Sequence, residues 1–352
     1  MNRPRRVLIV DDSPTMRKLI RTGLEGDNRL EIVGEASSAR EARDMVKAVS
    51  PDIMTLDIEM PGMDGLQFLE RLMRSRPMPV VMVSSLTTKG SEAALRALSL
   101  GALDCVEKPR FGATQSTLAH LAELLFELST SSIAPRRDRL RPKKVPQAND
   151  FRWNGKTILI GASTGGVEAL ERVFSEFPEN CPPTMVTQHM PENFLASFAV
   201  RLNAAVVPQV RLARDKMRVE QGEVVIAPGG HYHLHIDADE PFQTNLVTAP
   251  KRSGHRPSVD EMFLSAVPHA SSIVAALLTG MGRDGAEGLR SLRNAGATTF
   301  GQDENTCVVY GMPRVAADMG GVQEAVPLPK IATRLLRETS KPDSRVREVE
   351  RE

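Results

Sequence analysis

Five polar residues in the first third of the chain could do chemistry on phosphorus. Asp11 and Asp12 directly follow the apolar run RVLIV, Asp57 follows IMTL, Ser84 closes VVMVS, and Lys108 follows DCVE. Carboxylates crowded together repel one another unless a cation lies between them. Mg2+ suits a few carboxylates and leaves room for phosphate oxygens. An ionised carboxylate held in that way can attack phosphorus and form an acyl phosphate. A hydroxyl and a lysine on the far side would bind the incoming phosphoryl oxygens. Any one Asp at a strand end reads equally as a cap or turn residue, so it is the set of five that points to a phosphoryl site.

A second set could do acyl chemistry. Gly161-Ala-Ser163-Thr-Gly165 has the G-x-S-x-G spacing of a nucleophile elbow, in which a serine sits on a sharp strand-to-helix turn. The backbone N–H of Thr164 would then form one side of an oxyanion hole. The competing reading is a glycine-rich anion loop, which usually wants G-x-G-x-x-G or a Lys-Ser/Thr after the glycines. Neither is present. His189 ends the run PTMVTQH and is a candidate base, with a hydrogen-bonded turn histidine as the alternative. Asp284, in LLTGMGRDGAEG, reads either as the N-cap of the next helix or as acceptor of the second ring N–H of His189. The order Ser163, His189, Asp284 differs from the Ser–Asp–His order of α/β-hydrolases. A separate parallel α/β solution is therefore expected. His231, His233 and His235 alternate and would share one strand face. No carboxylate or cysteine set completes a metal site there, and a partly exposed strand face is the other reading.

The elements that must position these groups follow from hydrophobic pattern. From Val7 to about Glu127, short apolar runs alternate with helical stretches, giving five strand–helix units. Ser13 before Pro14 reads as a helix start. Such alternation implies a parallel sheet covered on both faces, with ligands at the carboxyl ends of the strands. Residues 129–150 are basic, proline-rich and poor in apolar side chains, which reads as a solvated linker. From Lys156 the alternation resumes. The predicted division is 3–123 for an N-terminal five-stranded, parallel, doubly wound α/β domain and 124–151 for the linker. A C-terminal, mostly parallel α/β hydrolytic domain would take 152–343, and a charged tail 344–352.

Composition narrows the function. The 352 residues carry Lys+Arg 45 against Asp+Glu 44, a formal net charge of +1, so there is no global basic excess to hold nucleic acid. Three scattered cysteines, Cys105, Cys181 and Cys307, fit a reducing compartment rather than a disulfide scaffold. No run approaches the roughly 20 apolar residues that span a bilayer, and the start is too short in apolar residues for a signal peptide. A cytoplasmic protein without membrane insertion is expected.

The motifs VLIVDDS, LDIEMPGMDG, VVMVSS and KP together resemble a two-component receiver domain. The resemblance implies Asp57 as phosphoacceptor, Asp12 with Asp11 as Mg2+ ligands, Ser84 as switch hydroxyl, and Lys108 as the lysine that precedes Pro109. Receivers often carry Phe or Tyr three residues before that lysine. Cys105 stands there instead, which leaves the aromatic part of the switch open. The motifs IGASTGG, QHMP, APGGHYH, RPSVD and LTGMGRDGA resemble the catalytic domain of chemotaxis protein-glutamate methylesterases of the CheB type. That resemblance implies a catalytic triad of Ser163, His189 and Asp284, with Thr164 and the backbone at Met281 around the oxyanion. It also implies hydrolysis of glutamate γ-methyl esters on chemoreceptors, deamidation of receptor glutamines, and no cofactor for either. A CheA-type histidine kinase would donate the phosphoryl group, and the unphosphorylated receiver would obstruct the catalytic mouth. A monomer is expected. Two readings compete with these motifs: a receiver-controlled binding module without chemistry, and a DNA-binding regulator. Methanol release and DNA mobility shift would discriminate them.

Overall fold

The apolar runs become buried strands. In the computed structural model, which describes residues 3–84, 88–108, 115–130 and 151–342, the chain forms two compact units that part near residue 140. Among the described residues no helix is long and apolar enough to cross a membrane.

The first unit alternates strand and helix: β1 (Arg5–Val10), α1 (Pro14–Leu24), β2 (Leu30–Ala36), α2 (Ala39–Val49), β3 (Ile53–Asp57), α3 (Gly65–Ser75), β4 (Val80–Ser84), α4 (Thr88–Leu100), β5 (Asp104–Glu107) and α5 (Gln115–Leu128). The five strands are parallel in the order β2-β1-β3-β4-β5. Helices α1 and α5 pack together, as do α3 and α4. Val7 to Val10, and all of β3 and β4, are buried. A fully buried Val, Leu or Ile contributes about 1.5–3 kcal/mol relative to exposure, so these continuous runs specify a two-sided sheet. Ser13 caps α1 by accepting the Met16 N–H, and Asp64 caps α3 by accepting the Gln67 N–H. Helix α5 runs on to Leu128, five residues past the expected domain end at 123. Most of the expected linker, and the tail from 344, lie outside the described residues.

The second unit holds β6 (Thr157–Ala162), α6 (Gly166–Phe174), β7 (Thr184–Gln188), α7 (Glu192–Ala205), β8 (Gln209–Leu212), β9 (Glu223–Ile226), β10 (His233–Ile236) and β11 (Thr244–Val247). It continues through α8 (Val259–Ser265), β12 (Ile273–Leu277), α9 (Ala286–Asn294), β13 (Thr298–Gln302), α10 (Met312–Asp318), β14 (Glu324–Val326) and α11 (Leu328–Glu338). Seven strands form a parallel sheet in the order β14-β13-β12-β6-β7-β9-β8, and β10 pairs with β11 in a separate antiparallel hairpin. Strand order reverses at β6, whose neighbours are β12 and β7. In both units, therefore, the place where ligands bind in open parallel sheets coincides with the residues singled out in the sequence. The edge strands β8 and β14 were not foreseen. His231 lies outside β10, so the alternation of three histidines along one strand is not formed.

Candidate active site

In the first unit, Asp11 and Asp12 leave β1, Asp57 ends β3, Ser84 ends β4 and Lys108 follows β5. Each of Asp11, Asp12 and Asp57 offers a carboxylate oxygen within 4.8 Å of the others, the one such group among the described residues. Lys108 Nζ donates to Asp57 Oδ2 at 2.7 Å and lies 3.2 Å from Asp11 Oδ2. The latter contact lacks hydrogen-bond geometry, which leaves a buried carboxylate oxygen without a hydrogen-bond partner. Burial pushes the Asp57 carboxyl up to about 6, with the Asp11 charge adding and Lys108 opposing. Burial likewise raises Asp11. Three close carboxylates, one with a buried oxygen that only the Lys108 charge faces, are the donor set of a hard divalent cation such as Mg2+, which would relieve their mutual repulsion. Ser84 is buried, and its carbonyl accepts the Lys108 N–H at 2.8 Å, so the two side chains are held across adjacent strand ends. Cys105 lies within β5, and burial raises its thiol far above its ordinary range.

In the second unit, three neighbouring strand ends converge. Ser163 follows β6, His189 follows β7, and Asp284 follows β12 after a short loop. Backbone bonds tie the ends together: Ser163 N–H to Thr279 O at 3.0 Å, and His189 N–H to Ala162 O at 3.0 Å. After Ser163 the chain turns sharply, with Gly166 N–H donating to Ser163 O at 2.7 Å. Gly165 adopts φ +78°, where a Cβ would lie 2.6 Å from Val308 Cβ. The turn thus requires glycine for both conformation and space. Gln188 Nε2 also donates to Ser163 O, at 2.9 Å.

Asp284 Oδ2 lies 2.7 Å from His189 Nε2, with the two side chains 1% and 5% exposed. The same carboxylate accepts from Ser258 Oγ at 2.7 Å, Val259 N–H at 2.6 Å and Asp260 N–H at 3.2 Å. It therefore sits at the positive N-terminal end of α8. It does not cap the helix that follows it: α9 starts at Ala286, and its N-cap position is Gly285, with no side-chain cap. Burial alone would raise the Asp284 carboxyl, but the hydrogen bond and charge of His189, with the Ser258 and Val259 donors, hold it down at about 2. With Nε2–H donating to Asp284, the lone pair is on Nδ1. That atom is buried and has no hydrogen-bond partner. It is the lone pair that can take a proton from a neighbouring hydroxyl.

Two family models match this chain, one in each unit. The CheB methylesterase family model matches residues 158–335, and the response regulator receiver domain model matches residues 7–119. A protein-glutamate methylesterase/protein-glutamine glutaminase of Rhizobium etli is 48% identical over 349 residues, covering 97% of this chain and 98% of that protein. One of the same name from Agrobacterium fabrum is 49% identical over 341 residues, covering 95% and 97%. The chain belongs to the CheB methylesterase family. The CheB methylesterase catalytic domain of Thermotoga maritima superposes with a TM-score of 0.50 at 36% identity, covering 53% of this chain and 99% of that domain.

In this CheB-family chain, Gly280 packs against the serine: a Cβ there would lie 2.6 Å from Ser163 Cβ. The backbone leading to Met281 is thereby brought beside the turn that carries Ser163 and Thr164. Thr164 is buried, and its carbonyl accepts from Thr279 Oγ1 at 3.0 Å. Two residues escaped the sequence reading. His255 stacks on His189, with ring centroids 3.8 Å apart and planes 6° from parallel. Ser258 holds the far side of Asp284. Ser258 lies in the RPSVD motif and His255 directly before it, but the spacing named no role for either. The other histidines have structural partners: His233 Nε2 meets Pro250 O at 3.0 Å, and His235 Nε2 meets Glu261 at 2.9 Å. They do not gather around a metal.

Proposed function

We propose that this chain hydrolyses glutamate γ-methyl esters on chemoreceptors, and deamidates receptor glutamines, by means of Ser163, His189 and Asp284. The observation that carries the reading is the buried His189–Asp284 pair, with its unpartnered Nδ1 on the same rim of the sheet as Ser163. His189 Nδ1 takes the Ser163 hydroxyl proton as Oγ attacks the ester carbonyl carbon. Asp284 stabilises the imidazolium through Nε2–H. The oxyanion of the tetrahedral intermediate lies among backbone donors at Thr164 and Met281. The imidazolium gives its proton to the departing methoxide, and methanol leaves. Water, deprotonated by the same imidazole, then releases the acyl group. A glutamine side chain follows the same route with ammonia as the leaving group. The names of the relatives support both activities.

The receiver would set the rate. Asp57 is the phosphoacceptor in this reading, with Asp11, Asp12 and Asp57 holding Mg2+, which when bound neutralises charge around the phosphoryl group. Ser84 and Lys108 bind the transferred oxygens. Phosphorylation by a CheA-type histidine kinase shifts the population from an inhibited to an active state. The protein acts as a cytoplasmic monomer.

The test is methanol release from methyl-labelled receptor by the full chain, with and without a small phosphodonor. Release that rises with phosphodonor and vanishes in Ser163→Ala supports the reading. Full activity of folded Ser163→Ala removes the nucleophile, and indifference to the phosphodonor removes the regulation.

A further inference from the structure

The alternating histidines His231, His233 and His235 have no part in the triad, yet one of them reaches toward it. His233 is fully buried and bonds in two directions. Its Nδ1 accepts the Ser258 N–H at 3.1 Å, and its Nε2 meets Pro250 O at 3.0 Å. A peptide N–H can only donate and a carbonyl oxygen can only accept, so the ring proton belongs on Nε2 and the lone pair on Nδ1. Both partners lie in one segment, residues 248–258, which leaves the β10–β11 hairpin and leads into α8. His233 thus staples that segment into a strap, near its start and at its end.

The strap is held along its length. Arg256 donates to Gly230 O at 2.7 Å and to Ala249 O at 2.8 Å. Arg252 pairs with Glu261 at 3.2 Å and with Glu287 at 2.9 Å. At the tip, Arg252 and His255 exchange both backbone hydrogen bonds, at 3.1 and 2.9 Å, around Gly254 at φ +84°. This turn lays the His255 ring on the face of the His189 ring, with centroids 3.8 Å apart and planes 6° from parallel.

The needs of a base explain the value of a face-on contact. His189 Nε2 is committed to Asp284, and Nδ1 must stay open for the Ser163 proton. A hydrogen bond to Nδ1 would hold the ring still but occupy that lone pair. The single bond at Nε2 fixes one point of the ring and leaves its plane able to tilt. A flat group on the ring face removes that freedom and uses neither nitrogen, because Nε2–H and the Nδ1 lone pair both lie in the ring plane.

We infer that His255 is a positioning residue for His189, pressed on the imidazole by a strap that His233 staples. The inference rests on the Ser163–His189–Asp284 reading and adds two residues outside the triad. Misdirecting the Nδ1 lone pair by about 1 Å costs up to about 10²-fold in rate, so the effect falls on kcat.

The test is steady-state methanol release from methyl-labelled receptor by the full chain. The variants are His255→Ala, His255→Phe, His233→Gln and the double variant His255→Ala/His233→Gln, with Ser163→Ala alongside. His255→Ala should lower kcat about tenfold or more, with KM within about twofold of the parent. His255→Phe restores a flat ring without ring nitrogens and should recover most of that loss. His255 is half-buried, so the strap can take the larger ring. His233→Gln can reach the Pro250 carbonyl but offers Ser258 N–H no acceptor at the Nδ1 position, and it should also lower kcat. The double variant should be about as slow as the slower single one, because both act through the strap. Circular dichroism and urea midpoints confirm folded protein, and if His233→Gln does not fold, the two His255 variants decide the inference by themselves. If His255→Phe is no better than His255→Ala, the ring nitrogens matter rather than the ring face. If KM rises while kcat holds, His255 contacts the substrate instead. If the losses multiply in the double variant, His233 does not act through His255. Each of these results overturns the inference. Unchanged kcat in His255→Ala with an inactive Ser163→Ala also overturns it and leaves the triad standing, whereas full activity of Ser163→Ala overturns the triad and the inference together.

Discussion

Replacing Asp284 in two ways separates what its charge does from what its shape does. In Asp284→Asn, one oxygen becomes an amide nitrogen. If the remaining oxygen faces Val259 N–H and His189 Nε2–H, the nitrogen meets Ser258 Oγ, whose hydroxyl can turn to accept, and only the longer Asp260 contact is lost. The reverse orientation leaves two buried donors unpaired, at about 1–3 kcal/mol each, so the first is favoured. Asn therefore keeps the ring and its tautomer in place but removes the negative charge. The carboxyl is held at about 2 against 3.8. At 1.36 kcal/mol per tenfold in proton affinity, the net interaction favouring the anion is on the order of 2 kcal/mol, after burial has worked against it. Asp284→Asn should accordingly lower kcat by about 10²-fold. Asp284→Ala also releases Nε2 and the α8 N-terminus, and should approach the roughly 10⁴-fold loss of a triad without a correctly oriented base. Steady-state methanol release measures both, with circular dichroism confirming folded protein. If either folded variant keeps activity within threefold of the parent, or if Ala is no worse than Asn, the assignment of Asp284 fails.

Three further outcomes follow from named contacts. Asp260 is buried beside Asp284, and burial pushes its carboxyl up to about 6. Its folded value exceeds the unfolded value near 3.9, so protonation favours the fold, and stability is lost as pH rises from about 4 through 6. Asp260→Asn, which can still accept the Gly288 N–H, should gain stability over the parent by up to about 3 kcal/mol above pH 6.5, and nothing below pH 4. Urea melts across that range check it, and a pH-independent difference would contradict it. Gly280→Ala would place a Cβ 2.4 Å from Met312 Sδ and 2.6 Å from Ser163 Cβ. Overpacking of about 1–3 kcal/mol and a displaced serine should lower kcat by at least tenfold. An unchanged kcat would mean that the Gly280 contact does not position Ser163. Asp57→Asn should abolish phosphate incorporation from a radiolabelled phosphodonor while hydrolysis continues at the unphosphorylated rate. Loss of both would join sites that are here kept apart.

Much of the fold and of the site is legible in the sequence. The runs at β1, β3, β4, β6, β7 and β12 are apolar on both faces, and in a two-sided sheet that pattern has few other meanings. The polar residues at their carboxyl ends were legible for the same reason. Short edge strands were not. In β8 only Val210 is buried, and β14 is three residues long, so neither shows an alternation that distinguishes a strand from a loop. The leucine pattern of α5 was legible to its end at Leu128; the domain boundary at 123 cut that helix short. Within the hydrolytic site, Ser163, His189 and Asp284 stood out by type and position. Which nitrogen of His189 meets Asp284 is decided by ring orientation, and that depends on the Ser258 segment folding back across the site. His255 reaches the ring by the same segment, from a stretch with no periodicity to reveal it.

The central claim is that Ser163 and His189 act as one chemical unit, and kcat for methanol release in a double-mutant cycle tests it most directly. If the proton on Ser163 Oγ must pass to His189, then Ser163→Ala, His189→Gln and the double variant should all fall to the same residual rate, since removing either partner disables the step. Losses that multiply, with the double variant slower than either single one by the product of their separate effects, would contradict it.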